Sequence, residues 1–280
     1  MMEGVVTKVI SNRYTVKCED QKYIAHARGR IKLDKDIFVG DRVQLIKSKP
    51  YAIIDKILPR TNELSRLAVA NVDVVVIVIA IVPTPDLVLV DKIIVKCHKE
   101  GIRPVICYNK TDLATTQQIA LTTAGYRSFD LIKVSASTEE GLSSLDEIIE
   151  NNVVCFAGQS AVGKTSLINA ISDLNLKTGQ LSYKISRGKN TTRHVESYEL
   201  KGGIVIDTCG FSMFDINDLK SNELKYYYDD YMIESFNCKY KDCNHINEPE
   251  CAVKKKVNEK KLNRGRYLRY RTIYKELDKK

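Results

Sequence analysis

No apolar run in this sequence is long enough to cross a bilayer. The most apolar stretch, Val72 to Val82, is too short and is interrupted by Asp73. The start, Met1-Met2-Glu3-Gly4-Val5-Val6, lacks the charged segment and apolar stretch of a secretory leader. There is no internal repeat and no low-complexity tract, which argues against a solenoid or a disordered chain. These absences predict a soluble, cytoplasmic protein. Residues 1–251 also lack net charge, with 32 basic and 32 acidic side chains. The whole balance of +9 falls in Ala252–Lys280, where twelve Lys/Arg face three Asp/Glu. Such a concentration reads as a footprint for a polyanion or as a solvated helical surface. Cysteine is not scarce, with eight in 280 residues, but a reducing compartment argues against a disulfide framework. Cys18, Cys97, Cys107, Cys155 and Cys209 are scattered, most of them in apolar segments, and read as free thiols.

Residues 1–62 contain five short segments of period-two alternation: Gly4–Val9, Arg13–Cys18, Lys22–Ala27, Asp41–Ile46 and Tyr51–Ile57. Five such strands in so short a stretch suit a small closed β-barrel, either an OB-fold or an SH3-like barrel. Residues 63–216 change to alternating strand and helix. Val72–Val82 is the continuous apolar strand expected of a parallel sheet covered on both faces. Arg103–Tyr108, Leu131–Val134, Val153–Ala157 and Gly203–Ile206 are further strands, with helices near Asp86–Glu100, Leu113–Ala124, Leu142–Asn151 and Ser166–Ile171. This pattern predicts a doubly wound α/β domain. Residues 217–280 read as helical on both sides of a Cys/His cluster.

Gly158-Gln159-Ser160-Ala161-Val162-Gly163-Lys164-Thr165-Ser166 fits a phosphate-binding loop, set between an apolar strand and a helix as that motif requires. Its backbone N–H groups would wrap phosphates, Lys164 would reach the β- and γ-phosphates, and Thr165 would ligate Mg²⁺. Asn109-Lys110-Thr111-Asp112 follows a strand end and fits a guanine reader, because a carboxylate accepts from guanine N1–H and N2–H₂, which adenine does not offer. Ser135-Ala136-Ser137 fits the loop whose backbone N–H meets guanine O6. Asp207-Thr208-Cys209-Gly210 fits D-x-x-G, with Asp207 holding Mg²⁺ through water and the Gly210 N–H meeting the γ-phosphate. Thr191 or Thr192 is the candidate to complete the Mg²⁺ shell. Phe211 stands where a glutamine would orient the attacking water, so hydrolysis by the protein alone should be slow. The base reader precedes the phosphate loop, the reverse of the order in ordinary small GTPases.

Cys238-x₄-Cys243-x-His245-x₅-Cys251 supplies three thiols and one imidazole, a set that suits a closed structural Zn²⁺ site. Accidental clustering of free cysteines is the alternative.

On these motifs the chain resembles the RsgA (YjeQ) family of circularly permuted GTPases over essentially its whole length. The resemblance implies an OB-fold, a permuted GTPase domain, and a zinc module with Cys238, Cys243, His245 and Cys251 as ligands. It also implies a role in late maturation of the small ribosomal subunit, contact with its rRNA, and GTP hydrolysis stimulated by that subunit. The family's switch motif often reads Gly-x-His-Thr-Thr; here Asn190 stands at the His position, with His194 four residues on as a possible substitute. Nothing in the sequence demands more than a monomer. Two further readings use the same residues: a GTP-sensing RNA-binding protein without catalysis, and a factor directed to tRNA or mRNA.

Overall fold

The computed structural model describes residues 1–10, 12–19, 21–29, 36–172, 196–207 and 215–279. The first five strands are β1 (Met2–Ile10), β2 (Arg13–Cys18), β3 (Gln21–Ala27), β4 (Arg42–Ile46) and β5 (Ala52–Ile57). They close into a barrel in the order β1-β2-β3-β5-β4, with β1 paired to both β2 and β4. β3 and β5 run parallel and the other pairs antiparallel. Alternation drives the closure: Tyr14, Val16 and Cys18 point inward along β2, against Val6, Val43, Leu45 and Ile54. The five-stranded barrel is the one expected from the sequence, in the Greek-key order of an OB-fold.

A polar joint follows the barrel. The fully buried Asp41 carboxylate accepts from Arg60 Nε at 2.7 Å and Arg60 Nη2 at 2.8 Å, and from the Phe38 N–H at 2.7 Å. The hairpin of β6 (Glu63–Leu64) and β7 (Val69–Ala70) then bridges back to Val39. Gly40 allows this close approach: at φ +87°, any Cβ there would collide with the Ala70 carbonyl oxygen.

The central sheet has the order β10-β9-β8-β11-β13-β12. Its strands are β8 (Val74–Ala80), β9 (Arg103–Asn109), β10 (Asp130–Lys133), β11 (Val153–Ala157), β12 (Glu196–Leu200) and β13 (Gly203–Asp207). All neighbours pair in parallel except β12 with β13. Every residue of β8 is buried, and alternate side chains enter two different cores. Val75, Ile77 and Ile79 join one, while Val74, Val76, Val78 and Ala80 join the other. An uninterrupted apolar strand is therefore required here. Strand β8 stops short of Val82 because Pro83 and Pro85 cannot continue a ladder.

Helix α1 (Leu87–Glu100) starts where the Asp86 carboxylate accepts from the Leu89 N–H, and it ends at Gly101 in the left-handed region. Helices α2 (Thr116–Thr123), α3 (Ser143–Ile149) and α4 (Lys164–Ala170) complete the α/β layer. The last part of the chain forms a 3₁₀ segment at Ser221–Tyr227, then α5 (Asp229–Ser235), α6 (Ala252–Asn258) and α7 (Arg264–Asp278). Tyr228, Tyr231, Tyr267 and Tyr270 form its aromatic centre, with Val95 of α1 in the same core. Among the described residues, no helix is long and apolar enough to cross a membrane.

Two residues of the basic tail belong to this packing rather than to an open surface. The Arg266 side chain is 1% exposed and lies between the Phe129 and Tyr228 rings, each 4.9 Å away. Arg269 Nε donates to Asp91 Oδ2 of α1 at 2.5 Å, and Arg266 Nε lies 3.8 Å from the other oxygen of the same buried carboxylate. The footprint expected from composition is smaller by these two charges. Lys255, Lys260, Lys261, Arg264 and Lys275 remain exposed.

Candidate functional site

The candidate nucleotide residues gather at the C-terminal edge of the parallel sheet, where α/β ligand loops sit. Asn109 ends β9, the phosphate loop follows β11, Ser135 lies just past β10 and Asp207 ends β13. Gly158 has φ +137°, and a Cβ there would collide with the Val78 carbonyl oxygen, so only glycine lets the loop leave the sheet.

Asn109 is 1% exposed and holds two loops at once. Its Nδ2 donates to the Val162 carbonyl oxygen at 2.9 Å, and its Oδ1 accepts from the Ala136 N–H at 3.2 Å. Lys110 Nζ donates to the carbonyl oxygens of Val82 and Ala161, both at 2.9 Å. Thr111 Oγ1 donates to the Val134 carbonyl oxygen at 3.1 Å. Ser135 Oγ donates to Asp112 Oδ1 at 2.6 Å, which leaves Ser137 as donor in the 2.9 Å contact between the two serine hydroxyls. The Ser135 hydroxyl bond holds the Asp112 carboxyl below its usual range. An exposed carboxylate fixed in its charged form can accept from two adjacent N–H groups.

On the phosphate side, Lys164 Nζ donates to the carbonyl oxygens of Gly158 at 3.0 Å and Gln159 at 3.1 Å. Gln159 Oε1 accepts from the Asp86 N–H at 3.0 Å, which ties the loop to the start of α1. Thr165 Oγ1 donates to Asp207 Oδ2 at 2.9 Å. A hydroxyl and a carboxylate thus meet beside the loop, an oxygen donor pair of the kind Mg²⁺ takes. Ser160, Gly163 and Ser166 lie in the same loop and first helical turn. Asn190, Thr191, Thr192, His194, Gly210 and Phe211 lie outside the described residues.

The second site is the Cys238, Cys243, His245 and Cys251 cluster, whose ligand atoms all lie within 4.8 Å of one another. His245 Nδ1 is 3.7 Å from Cys238 Sγ and 3.4 Å from Cys251 Sγ, and those two sulfurs are 3.9 Å apart. Zn–S and Zn–N bonds of about 2.3 and 2.0 Å in a tetrahedron place ligand atoms roughly 3.5–3.8 Å apart. The donor set therefore fits a metal ion. Burial lowers the His245 pKa to about 4, which keeps the imidazole neutral and able to ligate.

The surroundings of the cluster were not legible as motifs. Tyr267 Oη donates to the His245 carbonyl oxygen at 2.7 Å, and Tyr270 Oη donates to that of Asn244 at 2.8 Å. Burial opposes charge on Glu248, yet N–H bonds from Asn244 at 2.6 Å and Ile246 at 2.8 Å outweigh it and lower its pKa. The position of Glu248 between His245 and Cys251 is the one signal that could have singled it out.

The chain is similar to known proteins over nearly its whole length. The family description "RsgA GTPase" matches residues 57–217. The small ribosomal subunit biogenesis GTPase RsgA of Caldanaerobacter subterraneus subsp. tengcongensis is 40% identical over 287 residues, spanning 100% of this chain and 97% of that protein. The protein of the same name from Ruminiclostridium cellulolyticum is 39% identical over 290 residues, spanning 99% of this chain and 94% of that one. The crystal structure of YjeQ from Thermotoga maritima superimposes with a TM-score of 0.87 at 32% identity, covering 99% and 98% of the two chains. YloQ, described as a circularly permuted GTPase, gives 0.84 at 33% identity, covering 100% and 96%.

Proposed function

This chain belongs to the RsgA GTPase family, and on that premise we propose that it is a GTP hydrolase of small ribosomal subunit maturation, docking on the subunit's rRNA and hydrolysing GTP once docked. The observation that carries the reading is the pair of hydrogen bonds made by the Asn109 amide, donated to the Val162 carbonyl oxygen and accepted from the Ala136 N–H, which joins the base-reading and phosphate-binding loops into one pocket. Asp112 reads guanine N1–H and N2–H₂, the aliphatic stem of Lys110 covers the base, and a backbone N–H of the Ser135–Ser137 loop meets O6. Gly158–Ser166 wrap the phosphates and Lys164 neutralises their charge. Thr165 and Asp207 would hold Mg²⁺, which supplies charge neutralisation between the β- and γ-phosphates. Thr191 or Thr192 would complete the Mg²⁺ shell, and the Gly210 N–H would meet the γ-phosphate.

The cluster at Cys238, Cys243, His245 and Cys251 would hold Zn²⁺ as a structural ion, since three thiolates and one imidazole would fill all four positions of its usual shell and leave none for substrate. The barrel at 1–62 and the module at 217–280 supply the grip on rRNA, flanking the GTPase domain at 63–216. The protein acts in the cytoplasm as a monomer. Because Phe211 offers no group to orient water, the docked subunit supplies the missing element. GTP turnover measured with and without purified small subunits tests this: the subunit should accelerate it, and an unchanged rate rejects the proposal.

A further inference from the structure

Lys225 lies in the 3₁₀ segment Ser221–Tyr227, next to Leu224 of the tyrosine core. It is 8% exposed, although a lysine is rarely buried without a counter-charge. Arg266, the other buried cation among the described residues, has Asp91 and Asp230. No carboxylate among the described residues forms an ion pair with Lys225. Its Nζ donates to the Cys243 carbonyl oxygen at 3.3 Å and lies 5.3 Å from the ring of Tyr226, an exposed residue. A carbonyl dipole and an exposed ring do not neutralise a buried ammonium.

The counter-charge it lacks is one that the neighbouring metal cluster can supply. A divalent ion held by three thiolates and a neutral imidazole carries one net negative charge. Cys243, whose carbonyl holds the Lys225 ammonium, belongs to that cluster and is itself buried. The carboxylates that lie between the ligands in the chain are placed otherwise. Asp242 is exposed, Glu248 accepts from the Asn244 and Ile246 N–H groups, and Glu250 pairs with Lys239. A buried cation and a buried anion in contact offset each other's loss of water, whereas either one alone is costly.

Resting on the reading of the cluster as a structural Zn²⁺ site, we propose that Lys225 is the charge partner of the metal centre. Its ammonium offsets the net negative charge of the thiolate shell and so sets how tightly the ion is held. A lysine that only tied the 3₁₀ segment to Cys243 would act through its hydrogen bond, not its charge. Three variants separate the two roles. Lys225→Arg keeps charge and donor, Lys225→Gln keeps a donor without charge, and Lys255→Met removes a like charge from an exposed position.

Zinc affinity of the full-length chain is measured by competition with a chromophoric chelator. Lys225→Gln should hold zinc about ten- to hundred-fold more weakly, as loss of a group supporting a metal ligand does, while Lys225→Arg and Lys255→Met stay within about three-fold of native. In the Co²⁺-loaded protein, Lys225→Gln should move the thiolate-to-cobalt charge-transfer band to lower energy, because no nearby cation then holds the sulfur electrons. The d–d bands of tetrahedral cobalt should stay in place. Unchanged GDP affinity reports that each variant is folded, and Lys225→Met replaces Lys225→Gln should the latter fail that check. Native zinc affinity in the uncharged variant, a Lys225→Arg that loses zinc to the same extent, or an unmoved charge-transfer band overturns the proposal. A native chain that binds neither zinc nor cobalt rejects the reading of the cluster itself and this proposal with it.

Discussion

Asn109 and Val162, 53 residues apart, are joined by a buried hydrogen bond of 2.9 Å from Asn109 Nδ2 to the Val162 carbonyl oxygen. Gly163 completes the fit, since a Cβ there would collide with that same Nδ2. The base reader precedes the phosphate loop in the chain, yet the two meet because β9 and β11 flank β8 in the sheet. Chain order is thus irrelevant to the pocket, while strand order is decisive.

Replacing Asn109 tests that joint. Asn109→Ala leaves a buried carbonyl and a backbone N–H without partners, each costing about 1–3 kcal/mol. GTP and GDP affinity should fall together by roughly ten- to hundred-fold, measured by titration with a fluorescent GDP. A variant that loses GTP but keeps GDP would place Asn109 at the γ-phosphate instead.

Asp112 has a pH signature. Its pKa is depressed chiefly by Ser135, so guanine binding is present above that pKa and lost as pH falls through it. In Ser135→Ala the carboxyl returns toward its ordinary value, and the loss should begin at higher pH than in the native protein. Asp112→Asn should erase GTP-over-ATP selectivity at neutral pH, and competition binding at several pH values reads both effects.

The metal is expected to fold its module. Elemental analysis should find one zinc per chain, and Cys243→Ser should lose it. Chelation should then collapse the near-ultraviolet circular dichroism of the tyrosine core around Tyr231 and Tyr270. GDP binding at Asn109–Asp112 should survive, since no zinc-cluster residue touches that loop among the described contacts.

Asp91 clamps the module to α1. Asp91→Asn leaves the largely buried Arg269 without its carboxylate and Arg266 with Asp230 alone, at 3.5 Å, a loss of about 3–5 kcal/mol for a broken buried pair. Urea denaturation should show it. The double change Asp91→Leu, Arg269→Leu should be less destabilising than Asp91→Asn alone, because Arg269 is no longer left buried without a partner and Arg266 keeps Asp230 at 3.5 Å.

Sequence legibility followed the range of each interaction. Strand β8 was legible because burial on both faces leaves only apolar residues. The metal-ligand cluster was legible because three thiols and an imidazole fall within fourteen positions. The same holds for the phosphate loop, whose glycines mark a local backbone demand at Gly158 and Gly163. Arg266 and Arg269 were counted with a basic surface because Arg269 meets its partner Asp91 178 residues away, and no local pattern records that distance. The Asp41–Arg60 joint and the two-residue strands β6 and β7 escaped for related reasons. Isolated polar pairs have no periodicity, and two residues are too few to show an alternation.

Docking on the small subunit is expected to turn this GTP site into a working enzyme despite Phe211. The most direct measurement loads the protein with γ-labelled GTP, mixes it with an excess of small subunits, and follows phosphate release in a single turnover. The account predicts release of one phosphate per docked chain, much faster than without subunits, and none above background with Lys164→Ala. Docked protein that retains intact GTP while its affinity still depends on the bound nucleotide would contradict it and identify a nucleotide sensor instead.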